Sequence, residues 1–263
     1  MSQVVIRVEG LAKQYRIGEV KARHDRLSEV LVKAASTAVR RLVTLGRTSP
    51  DGSFIWALKG VSFEVRKGDV LGVIGRNGSG KSTLLKVLSR ITEPTAGHAE
   101  IRGRVGALLD VGTGFHPDLT GRENVYLNGA ILGMRRREIA RRFDEIVAFA
   151  EVERFLDTQI KHYSTGMQVR LAFAVAAHLD TEVLFLDEVL AAGDFDFREK
   201  CFARLRNARA EGKTALLVSH EMDSVESLCS HAMLLREGEV GAWGEPSEVI
   251  EAYTHQPATG DAS

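Results

Sequence analysis

Eight consecutive residues, Gly75-Arg76-Asn77-Gly78-Ser79-Gly80-Lys81-Ser82, carry the spacing GxxxxGK[ST] that cradles phosphate. The glycines let several backbone N–H groups converge on one anion. Val70–Ile74 before them reads as a buried strand, and Thr83–Leu88 after them as a helix former. The helix N-terminus then adds unpaired donors and a positive dipole end. Lys81 is placed to reach the β- and γ-phosphates of a nucleotide, and the Ser82 hydroxyl suits Mg²⁺. Further along, Asp187 and Glu188 end the apolar run Val183–Leu186, and His220 ends the run Thr214–Ser219. Open parallel sheets bind ligands at the carboxyl ends of their strands. There, Asp187 suits a second hold on Mg²⁺. Glu188 is placed to polarise an attacking water or take its proton. His220 is placed to meet a γ-phosphate. Each also has a plain reading, surface charge for the carboxylates and a structural ring for the histidine, which the phosphate loop upstream disfavours.

A second phosphate-binding feature sits at Ser164-Thr165-Gly166, immediately before the helix former Val169–Ala177. Two such features in one chain invite a dimer in which each copy completes the other's site. Tyr15, in an early loop, has two open readings: a ring that stacks on a base, or a packing residue.

The elements that must position these groups follow from the hydrophobic pattern. Val4–Val8 alternates as a short strand, and Ala57–Arg66 as another, through Val61, Phe63 and Val65. A third short strand spans 97–103. Residues 121–159 read as helical and highly charged, a lobe inserted between strand-rich parts. The runs 182–188 and 214–220, with a helix near 195–210 between them, suit a parallel sheet with helical crossovers. Ala232–Leu235 followed by Glu237-Gly238 reads as strand and turn, and 248–254 as a short helix. The tail from Gln256 is polar and expected to fray. Residues 16–55 stand apart. Asp25 caps an expected helix to about Leu45, with Leu27, Leu31, Ala34, Ala38 and Leu42 on one face and Lys21, Arg23, Lys33, Arg40 and Arg41 among its cations. Such a helix either lies on an anionic membrane or membrane partner, or packs on its own domain with a solvated basic edge.

Composition sets the outer bounds. The chain has 263 residues, with 35 basic and 35 acidic side chains, which argues against a general nucleic-acid surface. Cys201 and Cys229 are far apart and fit no metal-ligand spacing, so a reducing compartment is expected. No run of about 20 apolar residues is present, and the first residues lack the pattern of a signal peptide.

These motifs, in this order, resemble the ATP-binding subunit of an ATP-binding cassette transporter. The phosphate loop is Gly75–Ser82, with Thr83 beside it. The signature motif is Tyr163-Ser164-Thr165-Gly166-Met167, the carboxylate strand ends at Asp187 and Glu188, the D-loop is Ala191–Asp194, and the switch histidine is His220. The resemblance implies an α/β fold, the P-loop NTPase ATP-binding cassette with a RecA-like core, a small antiparallel β subdomain and an inserted helical lobe. The cassette is expected over 1–255, with 16–55 as a basic helical insertion, about 112–178 as the lobe, and 256–263 as tail. ATP and Mg²⁺ are the implied ligands. ATP is expected in a head-to-tail dimer between Gly75–Ser82 of one chain and Ser164–Gly166 of the other. Glu188 becomes the base, Tyr15 the adenine platform, and Asp194 a nucleotide-site residue. Two positions depart from the family: Thr165 and Met167 replace glycine and glutamine in the signature, and no Q-loop glutamine occurs in 105–117, where Asp110 or Val111 falls nearest. Asp110 is therefore a candidate to orient water or Mg²⁺.

The signature, Phe185–Asp194 and the run Gly114-Phe115-His116-Pro117-Asp118-Leu119-Thr120-Gly121-Arg122-Glu123-Asn124 resemble the polysaccharide exporters of this family. That group moves lipid-linked O-antigen, capsular polysaccharide or teichoic acid through a partner permease. The expected place is the cytoplasmic face of the inner membrane, held peripherally, with no nucleic-acid partner. With the sequence ending at Ser263, a C-terminal carbohydrate-binding domain is not expected. Two alternatives stay open: a lipid, drug or small-solute exporter, and a soluble cassette ATPase acting on the ribosome or nucleic acid.

Overall fold

The computed structural model describes residues 3–16, 54–108, 114–187 and 195–255. The expected helix at 25–45, the turn at 48–53, Asp110, Val111, Glu188, Asp194 and the tail from Gln256 lie outside the described residues. The chain divides into two compact units, Gln14–Trp56 and the remainder. Of the first, only the ends of two strands are described; they expose Tyr15, Phe54, Ile55 and Trp56.

The remainder is built on a six-stranded sheet. Its members are β3 (Val70–Ile74), β5 (Val105–Leu108), β6 (Val183–Asp187), β7 (Thr214–Val218), β8 (His231–Arg236) and β9 (Glu239–Gly244). They lie in the order β5-β6-β7-β3-β8-β9, parallel except for the antiparallel β8–β9 hairpin. The central strands are buried on both faces, which is why they read as continuous apolar runs. Their alternate residues feed two separate cores. Val70, Ile74, Leu186, Leu217 and Leu234 face one, while Leu71, Val73, Phe185, Leu216 and Met233 face the other. Each large side chain so buried contributes roughly 1.5–3 kcal/mol.

The second of these cores is closed by helix α1 (Lys81–Leu88) and a three-stranded sheet. That sheet has the order β2-β1-β4, with β1 at Val4–Arg16, β2 at Phe54–Arg66 and β4 at Ala96–Ile101. Strand β1 runs well past Val8. A register shift between Glu9 and Ala12, at Gly10 with φ +58°, breaks the alternation, so Leu11 and Ala12 are both buried. Tyr15 consequently sits in a strand rather than the expected loop.

On the opposite face lie α2 (Gly121–Ile131), α3 (Arg136–Ala150), α4 (Thr165–Ala177), α5 (Phe195–Ala210), α6 (Met222–Leu228) and α7 (Pro246–Thr254). The expected helical stretch over 121–159 is formed by two helices. Gly133, at φ +86°, ends the first, and Glu151, at φ +57°, ends the second before two short 3₁₀ turns, Glu153–Phe155 and Ile160–His162. Helix α6 and strand β9 are additions to the sequence reading. The apolar side of α6 fits against Gly72 of β3, where a Cβ would lie 2.7 Å from Val225 Cγ1 and 2.9 Å from Cys229 Sγ. Strand β9 reads EVGAWG, whose two glycines dilute the alternation. Both cysteines are free and buried, and burial pushes both thiols up to about 12, so neither is a nucleophile at neutral pH.

Candidate functional site

The phosphate loop leaves the carboxyl end of β3 and enters α1, as the motif requires. Three of its glycines take left-handed backbone: Gly75, Gly78 and Gly80, at φ +152°, +82° and +108°. Two are also pinned by close backbone approach. A Cβ on Gly75 would lie 2.3 Å from the Leu235 carbonyl oxygen, and one on Gly80 would lie 2.4 Å from that of Ala57. At Gly78 a Cβ would meet nothing, so that residue faces open space.

The loop wraps its own lysine. Lys81 is buried, and its ammonium donates to the carbonyls of Gly75 at 2.8 Å and Arg76 at 3.1 Å. A cation is thus held inside a ring of backbone. No side chain caps the N-terminus of α1. Ser79, 4 % exposed, has a hydroxyl with no hydrogen-bond partner among the described residues. Leaving a buried hydroxyl unpaired costs about 1–3 kcal/mol. An uncapped helix start, a buried ammonium and an unsatisfied hydroxyl around one concave backbone turn fit a phosphate chain, with the Ser82 hydroxyl and the Asp187 carboxylate fitting its Mg²⁺ as hard oxygen donors. Among the described residues, no three His, Cys, Asp or Glu side chains cluster to hold a metal by themselves.

The sheet brings the other groups to the same level. Val73 of β3 pairs with Val218 of β7, and Val218 pairs with Asp187 of β6. The three strands therefore end side by side, with β7 between the phosphate-loop strand and the carboxylate strand. His220 follows β7 by two residues rather than ending it, and is exposed. Next to it, Glu221 receives both Arg198 contacts, at 2.5 and 2.6 Å, and a hydrogen bond from Ser224 Oγ. That ties the start of α6 to α5 directly beside the histidine.

Sequence reasoning missed the brace beneath the loop. The β8–β9 turn places Glu237 and Gly238 at φ +48° and +85°. The Gly238 N–H donates to the Ser79 carbonyl at 3.0 Å, and the Gly238 carbonyl accepts from the Lys59 N–H at 2.8 Å. One residue therefore clamps the loop to β2. The available signal was the Glu-Gly turn, but nothing in its spacing says which loop it touches.

The signature segment is held differently, within the helical lobe. Ser164 caps α4, its hydroxyl accepting the Met167 N–H at 3.2 Å. Thr165 and Gly166 are exposed, and a Cβ on Gly166 would meet only Ser164 Oγ, at 3.9 Å. Tyr163 is buried, and its hydroxyl donates to the Phe155 carbonyl at 2.7 Å. Burial pushes that phenol up to about 12, with the nearby Asp157 charge adding to the shift. The hydroxyl occupies the space over Gly121, where a Cβ would come within 2.1 Å.

The run Gly114–Asn124 proves to be the frame for this segment. Asn124 is fully buried, accepts the His116 N–H at 2.7 Å, and donates to the carbonyls of His116, Leu119 and Thr120. Thr120 and Glu123 form a capping box at the start of α2. Those bonds from Thr120 hold the Glu123 carboxyl below its usual range. Arg122 pairs with Asp157 through two contacts, 2.8 and 3.2 Å.

Comparison with known proteins agrees with this geometry. Residues 58–191 match the family model described as ABC transporter. The chain is 50% identical over 207 residues to the O-antigen export system ATP-binding protein RfbB of Myxococcus xanthus, covering 79% of this chain and 47% of that protein. It is 37% identical over 235 residues to the teichoic acids export ATP-binding protein TagH of Lactococcus lactis, covering 89% of this chain and 50% of that one. It thus spans about half the length of both relatives. Among solved structures, a dimeric ATP-binding cassette bound to ADP and Pi in a post-hydrolysis state superposes with a TM-score of 0.70, at 23% identity, over 92% of this chain and 98% of that one. With the phosphate loop, the aligned strand ends and the helical lobe in place, the chain belongs to the ABC transporter family and has the fold of its ATP-binding cassette.

Proposed function

We propose that this chain is the ATP-hydrolysing subunit that powers export of a lipid-linked polysaccharide through a partner permease. The observation that carries the ATPase part is the phosphate loop, with its buried ammonium and unsatisfied Ser79 hydroxyl, level with Asp187. The polysaccharide part rests on two relatives named as O-antigen and teichoic acid exporters. That likeness favours polysaccharide over a lipid, drug or small-solute cargo and over a ribosomal role.

In this reading Gly75, Arg76, Asn77, Gly78, Ser79 and Gly80 present backbone N–H groups to the phosphates, with Thr83 behind them. Lys81 exchanges its carbonyl contacts for phosphate oxygens, which costs little reorganisation because the ammonium already points into the loop. Ser82 and Asp187 would hold Mg²⁺, with Asp110 as a further candidate, and the ion would supply neutralisation of phosphate charge. Glu188 orients and deprotonates the attacking water, and His220 donates to the γ-phosphate. Tyr15 stacks on adenine. Ser164, Thr165 and Gly166 of a second copy cover the γ-phosphate in a head-to-tail dimer, with Asp194 at the junction. Nucleotide favours the closed pair, and hydrolysis releases it. The subunit sits at the cytoplasmic face of the inner membrane, held by the permease.

The test is to recover Glu188→Gln protein from detergent-solubilised native membranes with Mg-ATP and identify its partners. A multi-spanning permease encoded beside glycosyltransferases is the expected result. Recovery with ribosomes or nucleic acid and no permease would overturn the transport reading.

A further inference from the structure

Several arginines of this surface are paired. Arg7 meets Glu64, Arg122 meets Asp157, Arg170 meets Glu151 and Arg198 meets Glu221. One cleft instead gathers arginines that are not. It lies where the α2–α3 turn meets the amino ends of β5 and β6, has a volume of about 560 Å³, and is lined by Arg104, Arg135, Arg137 and Arg141. Arg104 is committed to the framework. It donates to the carbonyls of Gly133 and Asp180 and pairs with Glu138 at 3.5 Å. Arg135, Arg137 and Arg141 are exposed, and their side chains have no hydrogen bond, ion pair or ring contact among the described residues.

Four positive charges thus face two negative ones, Glu138 and Asp180, in a single concavity. Glu138 is itself occupied by the Arg135 N–H and by Arg104, so it does not neutralise the three remaining forks. Repulsion among like charges would spread such side chains apart if nothing were to bind. Holding Arg137 and Arg141 four residues apart on one helix face, with Arg135 at its start, instead keeps them convergent. Guanidinium forks match the oxygens of phosphate, and an excess of two charges matches a dianion. The site is distinct from the phosphate loop. The loop leaves the carboxyl end of its strand, whereas Arg104 and Asp180 precede β5 and β6.

We propose that this cleft is a second anion site that takes a phosphate or diphosphate group. The group is carried either by a soluble molecule or by a lipid headgroup. The site does not depend on the transport reading, because its geometry is independent of the nucleotide loop.

The test uses full-length Lys81→Ala protein, so that the nucleotide loop no longer competes for phosphate. One arm titrates inorganic pyrophosphate by calorimetry. The other measures cosedimentation with phosphatidylcholine vesicles containing phosphatidylglycerol, against pure phosphatidylcholine. Both are repeated after adding Arg135→Gln, Arg137→Gln and Arg141→Gln, which touch only solvent-exposed side chains; an unchanged thermal transition reports intact folding. The expected result is that one probe binds and is weakened about tenfold or more by the three substitutions, the loss of at least one charge-assisted contact. Dependence in the pyrophosphate arm identifies a soluble diphosphate, and dependence in the vesicle arm a headgroup. Failure of both probes to bind, or binding that ignores the three arginines, would overturn the site and leave an acidic protein segment as the reading of the cleft.

Discussion

The phosphate loop and the signature segment, both proposed to aim donors at phosphate, are held in place by opposite means. The loop is fixed by main chain against main chain: Gly75 against the Leu235 carbonyl, Gly80 against that of Ala57, and Ser79 clamped by Gly238. The signature is fixed by side chains. Tyr163 reaches the Phe155 carbonyl across Gly121, and Asn124 knots the turn before α2. A backbone-built site tolerates few substitutions in its own residues and is indifferent to most elsewhere. A side-chain-built site can be loosened from a distance while its own motif stays intact. That difference predicts where mutations act and on which step.

The largest effect is expected at Gly80→Ala. The new Cβ meets a carbonyl, and the residue must hold φ +108°. Strain of about 1–3 kcal/mol, the range for such backbone, can fall wholly on the bound state and lower ATP affinity by up to about 100-fold. Titration with a fluorescent nucleotide checks this, and unchanged affinity would break the backbone half of the comparison. Next is Asn124→Ala. It removes an acceptor and three donated contacts from a fully buried site, so a stability loss of about 1–3 kcal/mol is expected in urea unfolding. Nucleotide affinity should barely move, because the knot lies in the helical lobe.

Smaller and sharper is Tyr163→Phe. It keeps the ring and removes the hydroxyl, for a loss of about 1 kcal/mol. ATPase rate should fall while ATP affinity does not, because the signature acts on the assembled site. The wild-type chain should also show an alkaline component that the variant lacks. The phenol's folded pKa is raised to about 12 from an ordinary 10.0, so the protonated form is the stable one in the fold. Its contribution is complete below pH 10 and is lost as pH rises through about 12. Unfolding followed against pH for both proteins separates this from general base denaturation. The smallest effect is expected at Arg122→Ala. Both partners are exposed, so the loss should be the smallest of the four and should shrink further with salt.

The same contrast explains what could be read from sequence. Gly75–Ser82 and the apolar runs at 70–74, 183–187 and 214–218 announced a strand, a loop, a helix and a parallel sheet. Each is a local pattern whose meaning lies within a few residues. Asp187 and His220 could be placed because strand ends share one edge. The extension of β1 was hidden by the register shift near Gly10, which disrupts the period the eye follows. Strand β9 was hidden by its glycines, and the break in the helical lobe by a single positive-φ glycine, Gly133, among strong helix formers. The roles of Gly238, Gly121 and Asn124 were illegible for another reason. Their partners are Ser79, Tyr163 and a turn up to eight residues away, and such pairings appear only when the chain is folded.

In the proposed dimer each nucleotide site is shared between two copies of the chain. Mixing Lys81→Ala protein with Ser164→Ala protein tests it directly. Each variant alone would disable both sites of its own dimer. In a mixed dimer the intact loop of one chain meets the intact signature of the other. ATPase activity, absent from either protein alone, is expected to return on mixing. If the mixture stays inactive while both variants remain folded and the two chains associate, the loop and signature do not act across two copies, and the shared site is contradicted.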